Sequence, residues 1–195
     1  MANEKTRGSD RTRNWAAVIY PESAPENWRE ILDEEHIEWI ESPLHEFDVN
    51  PGTGETKKAH WHILLAFDGV KSYEQVCEIL KPLNCPIPKR VQSMRGAVRY
   101  MAHLDNPEKW QYNPAEIVGH GGIDVQAFLA RSETERKEIV SCIFGWIRQN
   151  GCSEFSDLME YAFENEPEWF DVLISGYTIV FEAYFRSVRG KIRNP

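Results

Sequence analysis

The side chains best able to do chemistry stand in three short stretches. His60 and His62 flank Trp61 at the head of the apolar run Trp61-His62-Ile63-Leu64-Leu65-Ala66-Phe67. Alternate side chains of a strand share a face, so the two imidazoles project into one volume. Neutral imidazole is the commonest transition-metal ligand, and a pair at i and i+2 supplies half of a site. His45 and Asp48 lie upstream, beyond the turn-rich segment Asn50-Pro51-Gly52-Thr53-Gly54. Singly, His45 reads as a turn residue and Asp48 as an Asx turn leading into Asn50-Pro51. A hairpin folded about that segment brings both to its open side, beside His60 and His62. Such a donor set suits Mn²⁺, Zn²⁺, Co²⁺ or Fe²⁺, and Mg²⁺ only weakly. Zinc with three protein ligands and an open position is a catalytic pattern. The third stretch is Arg99-Tyr100-Met101-Ala102-His103, where a helix sets Tyr100 and His103 one turn apart on the same side. Spacing alone leaves two readings of Tyr100: a core aromatic, or a hydroxyl held towards a phosphate beside Arg95 and Arg99. A tyrosine with its ordinary pKa of about 10 attacks poorly at neutral pH unless a cation or base assists it.

These residues need a scaffold, and the flanking pattern describes one. Trp15 to Tyr20 reads as a first strand, ended by Pro21. Ser23 and Glu26, with Pro25 between them, predict a capped helix whose apolar face carries Trp28, Ile31 and Leu32. Ile37 to Ile40 is a second strand, and His60 to Phe67 runs back antiparallel to the segment that follows it. Ser72 and Gln75 open another capped helix, which closes near Pro82. Arg90 to Met94 predicts a short strand, and Arg95 to Leu104 a helix carrying Val98, Tyr100 and Met101. The order β-α-β-β-α-β-α points to an α+β domain, an antiparallel sheet with helices on one face.

The pattern breaks around Gly119-His120-Gly121-Gly122 and is wholly helical after Arg131. Ser132 with Glu135 caps a helix carrying Ile139, Ile143, Trp146 and Ile147, stopped at Asn150-Gly151. Phe155, Leu158, Met159, Ala162 and Phe163 make a second stripe, and Phe170 through Val188 a third, longer one. Roughly 60 residues make a small core for such wide aromatic stripes, which implies cover by another subunit. The expected organisation is a flexible basic tail over 1–13, a domain over 14–130 and a small helical domain over 131–195.

Composition narrows the class. The chain has 195 residues, 42% hydrophobic and 27% charged, as in soluble globular proteins. No apolar run reaches the length of about 20 residues that a membrane span needs, and the N-terminus has no signal-peptide core, so a cytoplasmic location is expected. Cys77, Cys85, Cys142 and Cys152 lack metal-cage or disulfide spacing and read as reduced thiols. A net charge of −9 argues against electrostatic coating of nucleic acid. Local basic clusters remain, with Lys5, Arg7, Arg11 and Arg13 near the N-terminus, and Lys89, Arg90, Arg95 and Arg99 before Tyr100.

Three segments then align in order: Ser42-Pro43-Leu44-His45-x-x-Asp48, Lys58-Ala59-His60-Trp61-His62 and Tyr100-Met101-Ala102-His103. Together they resemble the motifs of plasmid rolling-circle replication initiators of the streptococcal RepB-like (Rep_2) type, in the His-hydrophobe-His (HUH) endonuclease superfamily. Tyr20-Pro21-Glu22-Ser23 resembles that family's first strand and turn, and the likeness covers residues 14 to about 125. The resemblance implies a five-stranded antiparallel sheet with flanking helices. It implies metal ligands at His45, Asp48, His60 and His62, with Mn²⁺ the expected ion, and a nucleophile at Tyr100. The implied activity is nicking of one strand at the double-strand origin, leaving a 3′-hydroxyl primer and a 5′-phosphotyrosine, with later rejoining. Implied partners are origin DNA, further copies in a ring (a hexamer in the family) through residues 131–195, and a host replication helicase. Residues 1–130 hold 14 basic and 20 acidic side chains, a charge of −6, so duplex contacts are assigned to Lys89, Arg90, Arg95 and Arg99. Two alternatives stand beside this reading: another HUH-type strand transferase, such as a relaxase or transposase, and a non-catalytic, metal-stabilised oligomeric DNA-binding protein.

Overall fold

In the computed structural model of the chain, residues 11–85 and 87–193 are described. The chain divides into two compact units at Ala130/Arg131. Most of the expected basic tail lies outside the described residues, but Thr12 and Arg13 belong to the first strand.

The first unit is built on strands β1 (Thr12–Ile19), β2 (Glu38–Glu41), β3 (Trp61–Lys71), β4 (Lys89–Arg90) and β5 (Val118–His120). They form one five-stranded sheet in the order β4-β1-β3-β2-β5, with every neighbouring pair antiparallel. Ile63, Leu64 and Leu65 of the central β3 are all buried, because both faces of the sheet are covered. On one side α1 (Trp28–Glu34) and α2 (Tyr73–Leu80) pack on Trp15, Ala17, Ile19, Trp39, Ile63 and Leu65. On the other, α3 (Met94–Met101) and α4 (Val125–Leu129) pack on Ile40 and Leu64 through Val98, Met101 and Val125. Helices therefore flank both faces, not one as the element order suggested. The unbroken apolar run of β3 is the sequence signature of a strand buried on both sides.

Local chemistry sets several boundaries. The predicted cap at Ser23 does not form. Ser23 and Ala24 instead donate their backbone N–H groups to the Tyr20 carbonyl in a turn, and α1 begins at Trp28 without a side-chain cap. The capping box of Ser72 and Gln75 does form at α2. The strand predicted over Arg90 to Met94 is only Lys89–Arg90, because the Ser93 hydroxyl accepts from the Gly96 N–H and starts α3. β5 arises where the sequence pattern breaks. Gly121 permits it: its φ is +68°, and a Cβ there would lie 2.5 Å from the Ile37 carbonyl oxygen.

The second unit is helical: α5 (Glu133–Asn150), α6 (Phe155–Asn165), α7 (Pro167–Val172) and α8 (Thr178–Arg193). Ser132 and Glu135 form the expected capping box, and α5 stops at Gly151. The third stripe is not one helix. Leu173–Tyr177 forms a wide turn with non-helical backbone at Ser175 and Gly176, the latter at φ 129°, a conformation glycine alone adopts cheaply. Ile143, Leu158, Leu173, Phe181 and Phe185 close the core, while Phe163, Ile174 and Ile179 remain 69%, 56% and 78% exposed.

Candidate metal and nucleophile site

The hairpin that carries the first two stretches forms as expected. His45 and His60 face each other in an antiparallel bridge, their backbones bonded in both directions at 2.8 and 3.2 Å. Val49 and Thr56 pair further along in the same register. The Ser42 hydroxyl accepts the His62 N–H at 2.9 Å and so holds the approach of β3 against the Ser42-Pro43 segment.

Hydrogen bonding decides what the imidazoles can do. A backbone carbonyl only accepts, so a ring nitrogen bonded to one must carry the proton. His45 Nε2 donates to the Met101 carbonyl at 2.8 Å, and His60 Nδ1 to the Lys58 carbonyl at 2.7 Å. His103 Nδ1 donates to the Trp110 carbonyl at 2.7 Å. In its neutral form each ring is left with one bare lone pair, and all three second nitrogens face one carboxylate. His45 Nδ1 is 3.5 Å and His60 Nε2 4.0 Å from Asp48 Oδ2, while His103 Nε2 is 4.0 Å from Oδ1. His45 Nδ1 and His103 Nε2 are buried without a hydrogen-bond partner. Lone pairs turned on a carboxylate in a buried site repel unless a cation lies among them. The donor set therefore fits a metal ion. Imidazoles anchored by their second nitrogen to a fixed acceptor are the arrangement that orients metal ligands. Donor atoms lie within 4.8 Å of one another in two overlapping groups, His45–His60–His62 and His45–Asp48–His103.

The electrostatics agree with this. Burial, with the neighbouring His45 and His60, pushes the His62 imidazole down to about 3, and burial also lowers His45 despite the Met101 carbonyl and Asp48. Both are thus neutral donors at pH 7, the form that binds metal. Burial works to raise Asp48, but His45, His103, the Tyr112 hydroxyl and Lys57 together hold it below the usual carboxylate range. Tyr112 is pushed up to about 12, mainly by burial. It remains a protonated donor to Asp48 Oδ1 at 3.1 Å, with its ring stacked on His45 at 4.1 Å between centroids.

Tyr100 is not a core aromatic. It is 38% exposed at the C-terminal end of α3, edge-on to His62 at 5.9 Å and to His103 at 5.1 Å. Its hydroxyl accepts a hydrogen bond from Lys109 Nζ at 2.9 Å. Beside it opens a groove of about 730 Å³, whose lining includes Val18, Tyr20, His62, Ile87, Lys89 and Tyr100.

The fold brings His45, Asp48, His60, His62 and Tyr100 together, and adds His103, Tyr112 and Lys109. His103 lies beyond α3, not within it. Its φ of 57° is left-handed, a strain of about 1–2 kcal/mol for most residues that histidine tolerates better than most. Its sequence signals were its place in the third motif and its spacing one turn from Tyr100. Tyr112 and Lys109 sit in a loop without periodicity, and nothing in the sequence marked them.

Comparison with known proteins bears directly on this arrangement. The family described as "Plasmid replication protein, origin binding domain" matches residues 7–126, and that described as "Replication protein RepB, C-terminal" matches residues 133–190. Replication protein RepB of Lactiplantibacillus plantarum is 42% identical over 95% of this chain and 85% of its own length. The chain belongs to the RepB family of plasmid replication initiators. A replication protein of Staphylococcus aureus is 39% identical over 96% of this chain and 94% of its own. Replication protein RepB of Streptococcus agalactiae is 25% identical over 97% of both. The histidine cluster and Tyr100 all fall within the origin-binding match, and helices α5 to α8 within or near the C-terminal one.

Within this RepB-family chain the four basic residues divide into two pairs. Lys89 and Arg90 form the exposed edge strand β4, and Lys89 lines the groove beside Tyr100. Arg95 donates to the carbonyls of Phe128, at 3.0 Å, and Ala130, tying α3 to the end of α4. Arg99 grips Asp105 through Nε and Nη2 at 2.6–3.1 Å. Arg95 and Arg99 thus hold intramolecular contacts that a phosphate would have to share, and Arg90 too is engaged within the chain. Among the described residues no helix is long and apolar enough to cross a membrane.

Proposed function

We propose that this RepB-family initiator nicks and rejoins one strand of its plasmid origin, with Tyr100 as nucleophile. The observation that carries the reading is the pairing of an exposed phenol with a buried cluster of lone pairs that calls for a cation. His45, Asp48, His60 and His62 would hold the ion, which kinship makes Mn²⁺ from among the ions this donor set suits, and His103 faces the same carboxylate. A divalent cation bound there would supply Lewis-acid polarisation of a non-bridging phosphate oxygen.

The chain's own residues do the rest. The carbonyls of Met101, Lys58 and Trp110 fix the ring tautomers, so that the donors need no reorganisation. The Tyr112 hydroxyl donates to Asp48 Oδ1 and holds it in position. The Tyr100 oxygen attacks phosphorus, the bond to the 3′-oxygen breaks, and the 5′-phosphate stays on the tyrosine. That adduct conserves the phosphodiester for rejoining, which attack by water would not. The groove along Tyr20, Ile87 and Lys89 takes the single strand beside the scissile bond, and Lys89, Arg90, Arg95 and Arg99 are the basic residues assigned to DNA. Exposed Phe163, Ile174 and Ile179 support assembly of further copies through residues 131–195.

The test is incubation of the protein with a negatively supercoiled plasmid carrying its gene and upstream region. Mn²⁺-dependent open circles are expected from wild type and none from Tyr100→Phe or in EDTA. Equal nicking by Tyr100→Phe would remove the nucleophile assignment, and no nicking by any sample despite DNA binding would favour a non-catalytic initiator.

A further inference from the structure

Lys109 makes a contact that the metal cluster does not require. Its Nζ lies 2.9 Å from the Tyr100 hydroxyl oxygen and 4.4 Å from the ring centroid, so the ammonium sits at the oxygen end of the ring. Lysine ammonium groups near carboxylates ordinarily pair with them, yet among the described residues no carboxylate pairs with Lys109. The nearest acids in the chain are engaged elsewhere, Asp105 by Arg99 and Glu108 by the Asn106 amide.

The loop that carries Lys109 is braced on the site itself. The Lys109 N–H donates to the Asn106 carbonyl at 3.0 Å, and the Gln111 amide bridges the carbonyls of Asn106 and Lys109 at 2.9 and 3.0 Å. The next residue, Trp110, gives its carbonyl to His103 and packs its ring on Phe47, 4.6 Å between centroids. Lys109 is therefore held in register with the metal cluster.

We infer that Lys109 is a catalytic residue of the nicking and rejoining reaction, donating a charge-assisted hydrogen bond to the Tyr100 oxygen wherever that oxygen carries negative charge. The inference rests on the nicking function proposed above. In the forward step the Tyr100–phosphorus bond forms and the phosphorus–O3′ bond breaks. The phenol proton passes to solvent and the departing 3′-oxygen takes one up. In rejoining, a 3′-hydroxyl attacks phosphorus and loses its proton to solvent. The phosphorus–Tyr100 bond then breaks, and the tyrosine oxygen leaves with the electron pair and is reprotonated from solvent. Charge grows or persists on the same oxygen in both directions, and a fixed cationic donor at 2.9 Å stabilises it without reorganising.

The experiment compares wild type, Lys109→Ala and Lys109→Arg on the supercoiled plasmid, at saturating protein and with Mn²⁺. Gel shifts on the upstream fragment measure binding separately. Lys109→Ala is expected to slow open-circle formation about 10- to 100-fold with the gel-shift affinity unchanged. Lys109→Arg is expected to retain most of the rate. Added ethylammonium is expected to restore part of the Lys109→Ala rate, whereas tetramethylammonium, which has charge but no N–H, should not. Nicking by Lys109→Ala at the wild-type rate would overturn the inference. So would a loss explained by weaker DNA binding, or slowing that neither arginine nor ethylammonium relieves. Silence of the wild type would instead bring down the nicking function itself.

Discussion

The two faces of the central sheet are made by alternate residues of the same strands, yet they do different work. On the face covered by α1 and α2, Trp15, Ile19, Trp39, Ile63 and Leu65 are at most 1% exposed. These five side chains are apolar, and burying each large one contributes about 1.5–3 kcal/mol, while Glu41 on the same face is paired with Arg29 of α1 at 2.7 Å. On the opposite face Leu64 and Ile40 pack under α3 and α4, but two residues back along β3 the apolar cover gives way to His62, and then to His60 just before the strand begins. Alongside α3 the face opens into the groove lined by Gly96, Ala97 and Tyr100 of that helix. A sealed face stabilises the domain, and that stability lets the other face keep buried lone pairs that cost free energy until a cation meets them.

This contrast can be broken from either side. The largest expected effect is on chemistry alone: Tyr100→Phe should abolish nicking while urea unfolding of the apo-protein stays within about 0.5 kcal/mol of wild type, since the side chain is partly exposed. Leu65→Ala should do the reverse. A cavity on the sealed face costs about 2–5 kcal/mol of unfolding free energy and should leave Mn²⁺ affinity, measured by titration calorimetry below the unfolding transition, unchanged. His103→Ala sharpens the comparison, because it removes a lone pair from the working face without opening the sealed one. Mn²⁺ affinity should fall about 10- to 100-fold, and a value equal to wild type would show that His103 takes no part in holding the ion.

The smallest expected effect is that of pH. His62 has its folded pKa near 3, below its usual value near 6.5, and His45 is lowered in the same sense. Between those two values the unfolded chain binds protons that the folded one refuses. The stabilisation is therefore complete above about pH 6.5 and is lost as pH falls towards 3. Denaturant midpoints in EDTA should drop between pH 7 and pH 5, by on the order of 1–2 kcal/mol in unfolding free energy. His62→Ala should flatten that slope, and a sealed-face variant should not.

Much of this was legible in the residues themselves. The turn cluster at Asn50-Pro51 and the apolar run that follows it brought His45 and Asp48 to the open side of a hairpin beside His60 and His62, and the structure adds the register that sets His45 opposite His60. Ser72 with Gln75 and Ser132 with Glu135 marked helix starts through short-range hydrogen bonds that need no tertiary partner. Ser23 with Glu26 carried the same signature and failed, because Tyr20 captured the backbone N–H groups of Ser23 and Ala24 first. β5 was missed for a similar reason: a three-residue edge strand takes its shape from β2, not from its own propensity.

What the sequence determined by itself is local: which side chains can bind a metal, which can attack a phosphate, and which hairpin brings four of them to one end. Those follow from residue type and from strand and turn geometry over a few positions. The tertiary structure alone decided which nitrogen of each ring is bare, because the carbonyl that fixes His45 belongs to Met101, 56 residues away. It alone turned His103 towards Asp48 through a left-handed exit from α3, and set Lys109 against the Tyr100 oxygen. Proton placement and charge contacts depend on groups that meet only after the chain has folded, and no spacing rule carries them.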